Sequence, residues 1–222
     1  MGKSEEANLT RHDFRDFLLT HKIGNLSQSP LIKSKKVLDV INEVANGTFL
    51  IKNGNIKAFE ESGPLLITTG RISRQKGFEI ILRAIPDIIE EVPNAKFLLL
   101  ILPTEYSLDE IREYARYVKK YPENLRIIFG VATDIFHLAH VSADMYAALS
   151  RWEPFGIMAL EAMACRIPII ATQVGGLQET VIDVREVPEY GTGVLIEEDN
   201  LEQFKEAAIT FFKLAQVSEK VD

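Results

Sequence analysis

From Pro64 onward, the sequence alternates short, nearly continuous apolar runs with longer segments whose apolar residues recur at helical spacing. The apolar runs predict strands at residues 65–69, 96–102, 125–129, 144–149, 168–171 and 193–196. The spaced segments predict helices at residues 77–92, 108–121, 134–141, 155–166, 177–184 and 201–214. Strands that are apolar throughout are typical of a parallel sheet with helices on both faces. The chain is therefore predicted to have an α/β fold with a doubly wound, mostly parallel, Rossmann-like sheet of about six strands.

The first 60 residues follow a different pattern. Segments 12–21 and 33–44 predict two amphipathic helices, and Asn53-Gly54 lies between apolar-rich runs. Asn-Gly favours a tight hairpin turn because both turn positions need positive φ. We therefore expect residues 1–60 to form a helix-and-hairpin appendage or linker, and residues 61–222 to form the main domain.

Charge and hydropathy argue against several classes of protein. The formal charge is −7 and no basic stripe is present, which argues against a nucleic-acid partner. No apolar run approaches the length of a membrane span, and the polar N-terminal residues contain no signal region. We therefore expect a cytoplasmic protein with no membrane partner.

Residues that bind metals are sparse and poorly spaced. His137 and His140 lie three residues apart without a third His or Cys nearby, so a half-buried structural role is expected for both. The single cysteine, Cys165, lies in an apolar helical segment and is most simply a small core residue. No metal site is predicted.

An acidic motif follows the predicted strand at residues 144–149. Glu153-Pro154-Phe155-Gly156 leads into a helix that carries Glu161, and Pro154 suits the first helical position. Glu153 would then lie at the carboxyl end of a strand, where open α/β sheets bind their ligands. Both carboxylates would lie on one side of a ligand, which fits contacts to two parts of a long molecule better than a glycosidase pair. Apolar neighbours surround Glu161, so we expect its carboxylate to have a partner.

Two glycine-containing loops follow other predicted strands. The loop from Gly70 to Gly77 carries Arg71 and Lys76, a planar fork and a point charge that together suit a diphosphate. The turn Gly175-Gly176-Leu177 would let backbone N–H groups converge on an anion. The alternatives are a solvated basic loop for the first and a tight strand-to-helix turn for the second.

Taken together, Arg71-(x)4-Lys76-Gly77, Glu153-Pro154-Phe155-Gly156 with Glu161, and Gly175-Gly176-Leu177 resemble motifs of one enzyme family. Their order and spacing are similar to those of the C-terminal, donor-binding domain of retaining GT-B glycosyltransferases, above all glycogen and starch synthases. The resemblance implies ADP-glucose or UDP-glucose as donor, a glucan as acceptor and no cofactor.

The same resemblance implies a role for each matching residue. Arg71 and Lys76 would hold the diphosphate, Glu153 would lie by the hydroxyls of the donor sugar, and Glu161 would contact the ribose. Backbone amides around Gly156 and in the turn of Gly175, Gly176 and Leu177 would cradle the phosphates.

The sequence also departs from that family. Leu102-Pro103-Thr104 replaces the usual Gly-x-Gly, and Val131 stands near the position of an aromatic residue for the base, so adenine and uracil both remain open. The family's acceptor-binding N-terminal domain is not recognisable in residues 1–60, and we expect the chain to need such a domain as a partner. Two alternatives share the fold, namely a non-catalytic nucleotide-binding module and a nucleotide-sugar epimerase.

Overall fold

The computed structural model describes residues 9–218, and its centre is one sheet of six parallel strands. The strands are β1 (Leu65–Arg71), β2 (Lys96–Leu102), β3 (Leu125–Phe129), β4 (Met145–Ala148), β5 (Ile169–Thr172) and β6 (Gly193–Ile196). The helices of the described residues are α1 (Arg11–Thr20), α2 (Lys35–Val44), α3 (Phe78–Glu91), α4 (Leu108–Lys120), α5 (Thr133–Ser142), α6 (Ile157–Ala164), α7 (Gly175–Thr180) and α8 (Leu201–Ser218). None of these helices combines the length and the apolar character that a membrane span requires.

The sheet has the strand order β3-β2-β1-β4-β5-β6, which confirms the predicted doubly wound fold. β1 pairs with β2 from Leu65 opposite Lys96 to Arg71 opposite Leu102, and on its other side β1 pairs with β4. The order of strands reverses between β1 and β4. In a sheet of this kind, that reversal opens a crevice at the carboxyl ends of the two strands.

Several helices begin where the sequence supplies a cap. Thr10 and Asp13 form a reciprocal capping box at the start of α1. The side chain of Asn200 accepts a hydrogen bond from the backbone N–H of Gln203 at 3.0 Å and so caps the start of α8.

Helices α6 and α7 differ from their predicted bounds. α6 begins at Ile157 because Gly156 adopts a left-handed conformation (φ 69°) ahead of it, so the expectation that Pro154 is the first helical residue was wrong. α7 begins at Gly175 and ends at Thr180 rather than near residue 184. The buried carboxylate of Asp183 accepts hydrogen bonds from the backbone N–H groups of Arg185 and Leu195, which draws the chain out of the helix and against β6.

The turn predicted at Asn53-Gly54 is confirmed, with φ values of 61° and 75°. The flanking segments pair through one antiparallel bridge, Leu50 with Ile56, rather than through longer strands. The N-terminal helices contribute to the same core as the sheet, with Leu18 of α1 and Ile41 of α2 fully buried in it.

Arg126 of β3 fastens the N-terminal segment to the outer strand of the sheet. Its guanidinium donates to the carbonyl groups of Lys57 at 2.7 Å and Ala58 at 3.2 Å. The same group lies over the rings of Phe59 and Phe49, at 4.2 and 5.3 Å from their centroids. Burial lowers the pKa of Arg126 to about 10, so the cation persists at neutral pH.

Candidate functional site

A small cavity of about 120 Å³ lies where β1 and β4 end, at the reversal of the strand order. It is closed by the start of α6 and by the loop that precedes α3. Its polar lining comes from both strands and both loops, through Thr68, Thr69, Lys76, Tyr146, Ser150 and Glu153. Gly156 and Leu177 complete the wall. The structure therefore brings Lys76, Glu153, Gly156 and Leu177, predicted from separate motifs, to one place.

Lys76 and Glu153 form an ion pair across this cavity. The Nζ atom of Lys76 lies 2.6 Å from Oε2 of Glu153, and the two side chains are 24% and 18% exposed. Lys76 ends a short turn after β1 and Glu153 follows β4, so the pairing of these strands sets the two side chains opposite each other. The backbone N–H of Gly156 lies 3.4 Å from the other carboxylate oxygen.

The environment of Glu153 keeps its carboxylate ionised. Burial raises the pKa of Glu153, but the hydrogen bond and charge of Lys76 and the backbone N–H groups of Gly156 and Phe155 outweigh it. The pKa of Glu153 is therefore below its ordinary value. The cavity presents a fixed negative charge and a fixed positive charge side by side.

The Gly175–Leu177 turn, predicted as a phosphate cradle, lies against the Glu153 loop. The N–H of Gly176 donates to the carbonyl of Glu153 at 2.7 Å, and the N–H of Leu177 donates to Val174 at 3.1 Å. These two amides are thus already bonded within the protein. A Cβ atom on Gly175 would lie 2.2 Å from the carbonyl oxygen of Glu153, and one on Gly176 would lie 2.5 Å from that of Pro154. The paired glycines let the two loops touch, which holds the Glu153 loop in position.

Arg71 and Glu161 lie at the margin of the site. Arg71 is the last residue of β1 and is exposed, and it is not among the residues that line the cavity. Glu161 is exposed on α6, so water can solvate its carboxylate and the expected need for a partner does not arise. Burial raises the pKa of Tyr146 to about 12, although hydrogen bonds to Thr69 oppose the rise, and the charge of Glu161 adds a smaller contribution to it.

A second cavity, of about 270 Å³, lies beyond the first along the carboxyl edge of the sheet. Its walls come from the ends of β1 and β2 and from the start of α5, and its lining includes Leu100, Leu102, Val131, Phe136, His137 and Met158. The two cavities share Thr69 and Met158. Of this lining, sequence reasoning had related only Leu102 and Val131 to a base, because the residues come from four separate segments without a common motif.

The two histidines differ in environment. His140 is buried, with Nδ1 2.8 Å from the carbonyl of Phe136, and so has the structural role predicted for it. His137 is exposed and borders the second cavity, so its expected half-buried structural role was wrong. Among residues 9–218, no three His, Cys, Asp or Glu side chains are grouped closely enough to hold a metal ion.

Exposed apolar residues lie at and next to the first cavity, since Phe155 and Ile157 line it and Trp152 precedes Glu153. Trp152, Phe155 and Ile157 are 63%, 72% and 61% exposed, although each is a large apolar residue. Exposed apolar groups clustered around a cleft are typical of a surface that another molecule or domain covers.

Known proteins are similar to this chain in sequence or in fold. The chain is 35% identical over 135 residues to the glycogen synthase of Alkalilimnicola ehrlichii, covering 60% of this chain and 27% of that enzyme. The catalytic domain of starch synthase IV from Arabidopsis thaliana, bound to ADP and acarbose, has a TM-score of 0.61 and 20% identity over 86% of this chain and 39% of its own. The Anabaena protein HepE in complex with UDP-glucose has a TM-score of 0.58 and 21% identity, covering 83% and 45% of the two chains.

The two structural likenesses concern the fold, and the chain spans about a quarter of the length of the glycogen synthase. The family model named glycosyl transferases group 1 matches residues 51–221, which is more than half of the chain. The sequence motifs, the parallel sheet and this match agree, and the chain belongs to the glycosyl transferases group 1 family.

Proposed function

We propose that this chain is the donor-binding half of a retaining glycosyltransferase that transfers glucose from ADP-glucose or UDP-glucose to an α-glucan. The observation that carries the proposal is the Lys76–Glu153 pair, held at 2.6 Å in the crevice between β1 and β4. A cation and a carboxylate side by side match the two charges of a donor at the moment of transfer. The identity to a glycogen synthase supports glucose and a glucan as the substrates.

In this proposal, the diphosphate lies at Lys76 and at the N-terminus of α6. Negative charge grows on the diphosphate as its bond to the sugar breaks, and the Lys76 ammonium stabilises that charge more than the ground state. Ile157 and Met158, the first residues of α6, line the same cavity, where the helix would add its positive end. Arg71, at the end of β1, supplies a second cation at the margin.

Glu153 faces the sugar in this arrangement. A carboxylate that stays ionised stabilises the positive charge that develops on the sugar ring during transfer. Its hydrogen-bonding oxygens also suit the hydroxyl groups of glucose. Glu161, exposed on α6, is proposed to contact the ribose.

The second cavity suits the nucleobase. Its wall is largely apolar, with the ring of Phe136 and the side chains of Leu102 and Val131, and such a wall accepts the face of a flat heterocycle. His137 at its border offers ring nitrogens to the edge of the base. Both adenine and uracil meet these requirements, so the proposal keeps ADP-glucose and UDP-glucose.

Thermal unfolding with and without ligand tests the proposed binding. Millimolar ADP or UDP should raise the Tm, because a ligand that binds the native state alone stabilises it, by about 2.7 kcal/mol at 100 times Kd. Adenosine and uridine, which lack the phosphates, should raise it far less. An unchanged Tm with both diphosphates would contradict the donor site. Tm shifts with the nucleosides as large as those with the diphosphates would show that Lys76 does not contribute to binding.

A further inference from the structure

Three hydrogen bonds join the loop after β1 to the loop after β4. The backbone N–H of Arg151 donates to the carbonyl of Gln75 at 2.7 Å, and the guanidinium of Arg151 donates to the carbonyl of Arg74. In the opposite direction, the side-chain amide of Gln75 donates to the carbonyl of Trp152 at 2.5 Å. The bonds connect residues 74 and 75 with residues 151 and 152.

Two acidic side chains hold the guanidinium of Arg151 in place. Its Nη2 atom lies 2.5 Å from Oε1 of Glu79 and 2.6 Å from Oδ1 of Asp199, and Nε donates to the other oxygen of Asp199 at 3.0 Å. Glu79 belongs to the first turn of α3, whereas Asp199 precedes α8 with a positive φ of 56°. The planar guanidinium of Arg151 thus binds three other segments of the chain, at Arg74, Glu79 and Asp199, a geometry that lysine cannot reproduce.

The bonded residues lead directly to the two charges of the cleft. Lys76 follows Gln75, and Glu153 follows Trp152, so the three bonds end immediately before the Lys76–Glu153 pair. We propose that Arg151 is a positioning residue, which fixes the loop of Lys76 against the loop of Glu153 and so presents the lysine to a diphosphate in its binding geometry.

This inference rests on the proposed function, since it assigns to Arg151 an effect on donor binding. Arg151 is 21% exposed and is not among the residues that line the first cavity, so its effect on a ligand would be transmitted through Lys76. Holding a binding group in place beforehand lowers the entropic cost of ligand binding. Loosening the loop should therefore weaken binding of diphosphates without removing any group that touches them.

A double-mutant cycle separates positioning from general stability. R151Q should weaken ADP or UDP binding about tenfold in a calorimetric titration, whereas in a K76A background the same change should cost less than about twofold. R151K should recover only part of the affinity, because an ammonium offers three donors in place of the planar fork that makes four contacts with Arg74, Glu79 and Asp199. R112Q is the matched control: Arg112 also bridges two acids, Glu43 and Asp109, but on α2 and α4.

Two results would overturn the inference, namely full affinity in R151Q, or an equal loss with and without Lys76. If the unchanged chain binds neither ADP nor UDP, the proposed function fails. Hydrogen exchange in the free protein then tests separately whether Arg151 holds the Lys76 loop in position. The N–H of Lys76 donates to the carbonyl of Ser73 at 3.0 Å. Faster exchange of that N–H in R151Q than in R112Q would support the positioning of the loop, and equal exchange would contradict it.

Discussion

The charges of Lys76 and Glu153 balance each other in the ion pair. A bound diphosphate must therefore share the Lys76 ammonium with the Glu153 carboxylate or displace that carboxylate from it. The pair holds the lysine extended across the cavity and keeps the carboxylate ionised. An ammonium has three donors, so sharing is geometrically open to it. The ion pair therefore leaves the proposed site accessible to an anion.

Replacing Lys76 by alanine should weaken ADP or UDP binding by about 1.5–3 kcal/mol, the usual contribution of a charge-assisted hydrogen bond. Stability should change by less than about 1 kcal/mol, because the pair is partly exposed to water. Calorimetric titration and urea unfolding measure the two quantities. R74A, which removes an exposed cation from the same loop, is the control. Unchanged affinity for ADP or UDP in K76A would show that Lys76 is part of a solvated basic loop that does not bind the diphosphate.

At this scale, the sequence predicted which residues matter better than what each one does. The spacing of Lys76 and Glu153 placed both at carboxyl ends of strands, and the structure places both in one cavity, while their roles in binding stay predictions. The amides of Gly176 and Leu177 are bonded within the protein, which no local pattern reveals. Arg151 was missed because its partners, such as Glu79 and Asp199, are distant in sequence.

Among the elements, strands were predicted more accurately than helix starts. The predicted bounds of β2, β3 and β6 are those of the structure. An apolar run marks the part of the chain that the helices bury, and in these strands that part coincides with the strand. The starts of α6 and α7 depend on the contact between the Glu153 loop and the Gly175–Gly176 turn, two segments that meet only in the folded chain. Pro154 fits the first position of a helix in isolation, but the turn at Gly156 delays the helix.

Asp183, in the segment between α7 and β6, should make the free energy of unfolding depend on pH in the acidic range. Hydrogen bonds from the side chain of Arg185 lower the pKa of Asp183, and although burial opposes them, bonds from backbone N–H groups bring it to about 2. A carboxylate with a depressed pKa stabilises the fold above its unfolded pKa, here by about 2 kcal/mol. That contribution should disappear as the pH falls from about 4 to about 2.

Urea unfolding at neutral pH and in this acidic range, with D183N beside the unchanged chain, measures the effect. D183N should be less stable at neutral pH and should lose the corresponding part of the acid dependence. Asp109, whose side chain is 99% exposed, provides the control D109N, which should behave like the unchanged chain. Equal acid dependence in D183N and the unchanged chain would show that Asp183 does not stabilise the fold.

For the whole molecule, binding and transfer should be separable. We expect the 222-residue chain by itself to bind a nucleotide sugar weakly and to transfer no glucose to a glucan at a measurable rate. Phe155 and Ile157 line the first cavity and are exposed to water, and water exclusion and acceptor alignment would need a second wall. Incorporation of labelled glucose into glycogen measures transfer.

Adding a separately expressed acceptor-binding domain should raise that rate if the two halves are complementary. Efficient transfer by the chain alone would show instead that residues 1–60 complete the site. Binding of diphosphate with no transfer under either condition would favour the non-catalytic module. The predicted division of the chain at residue 60 itself stays a prediction.

The attachment of the N-terminal segment has a consequence for the solution behaviour of this protein. An outer strand offers unpaired N–H and C=O groups that recruit strands from other molecules. Here the bonds of Arg126 to Lys57 and Ala58, together with the pairing of Leu31 with Val131, keep the segment lying against the outer side of β3. A fragment starting at residue 61 would contain every strand of the sheet and yet leave that side open. Such a fragment is therefore expected to self-associate through β3 more readily than the full chain.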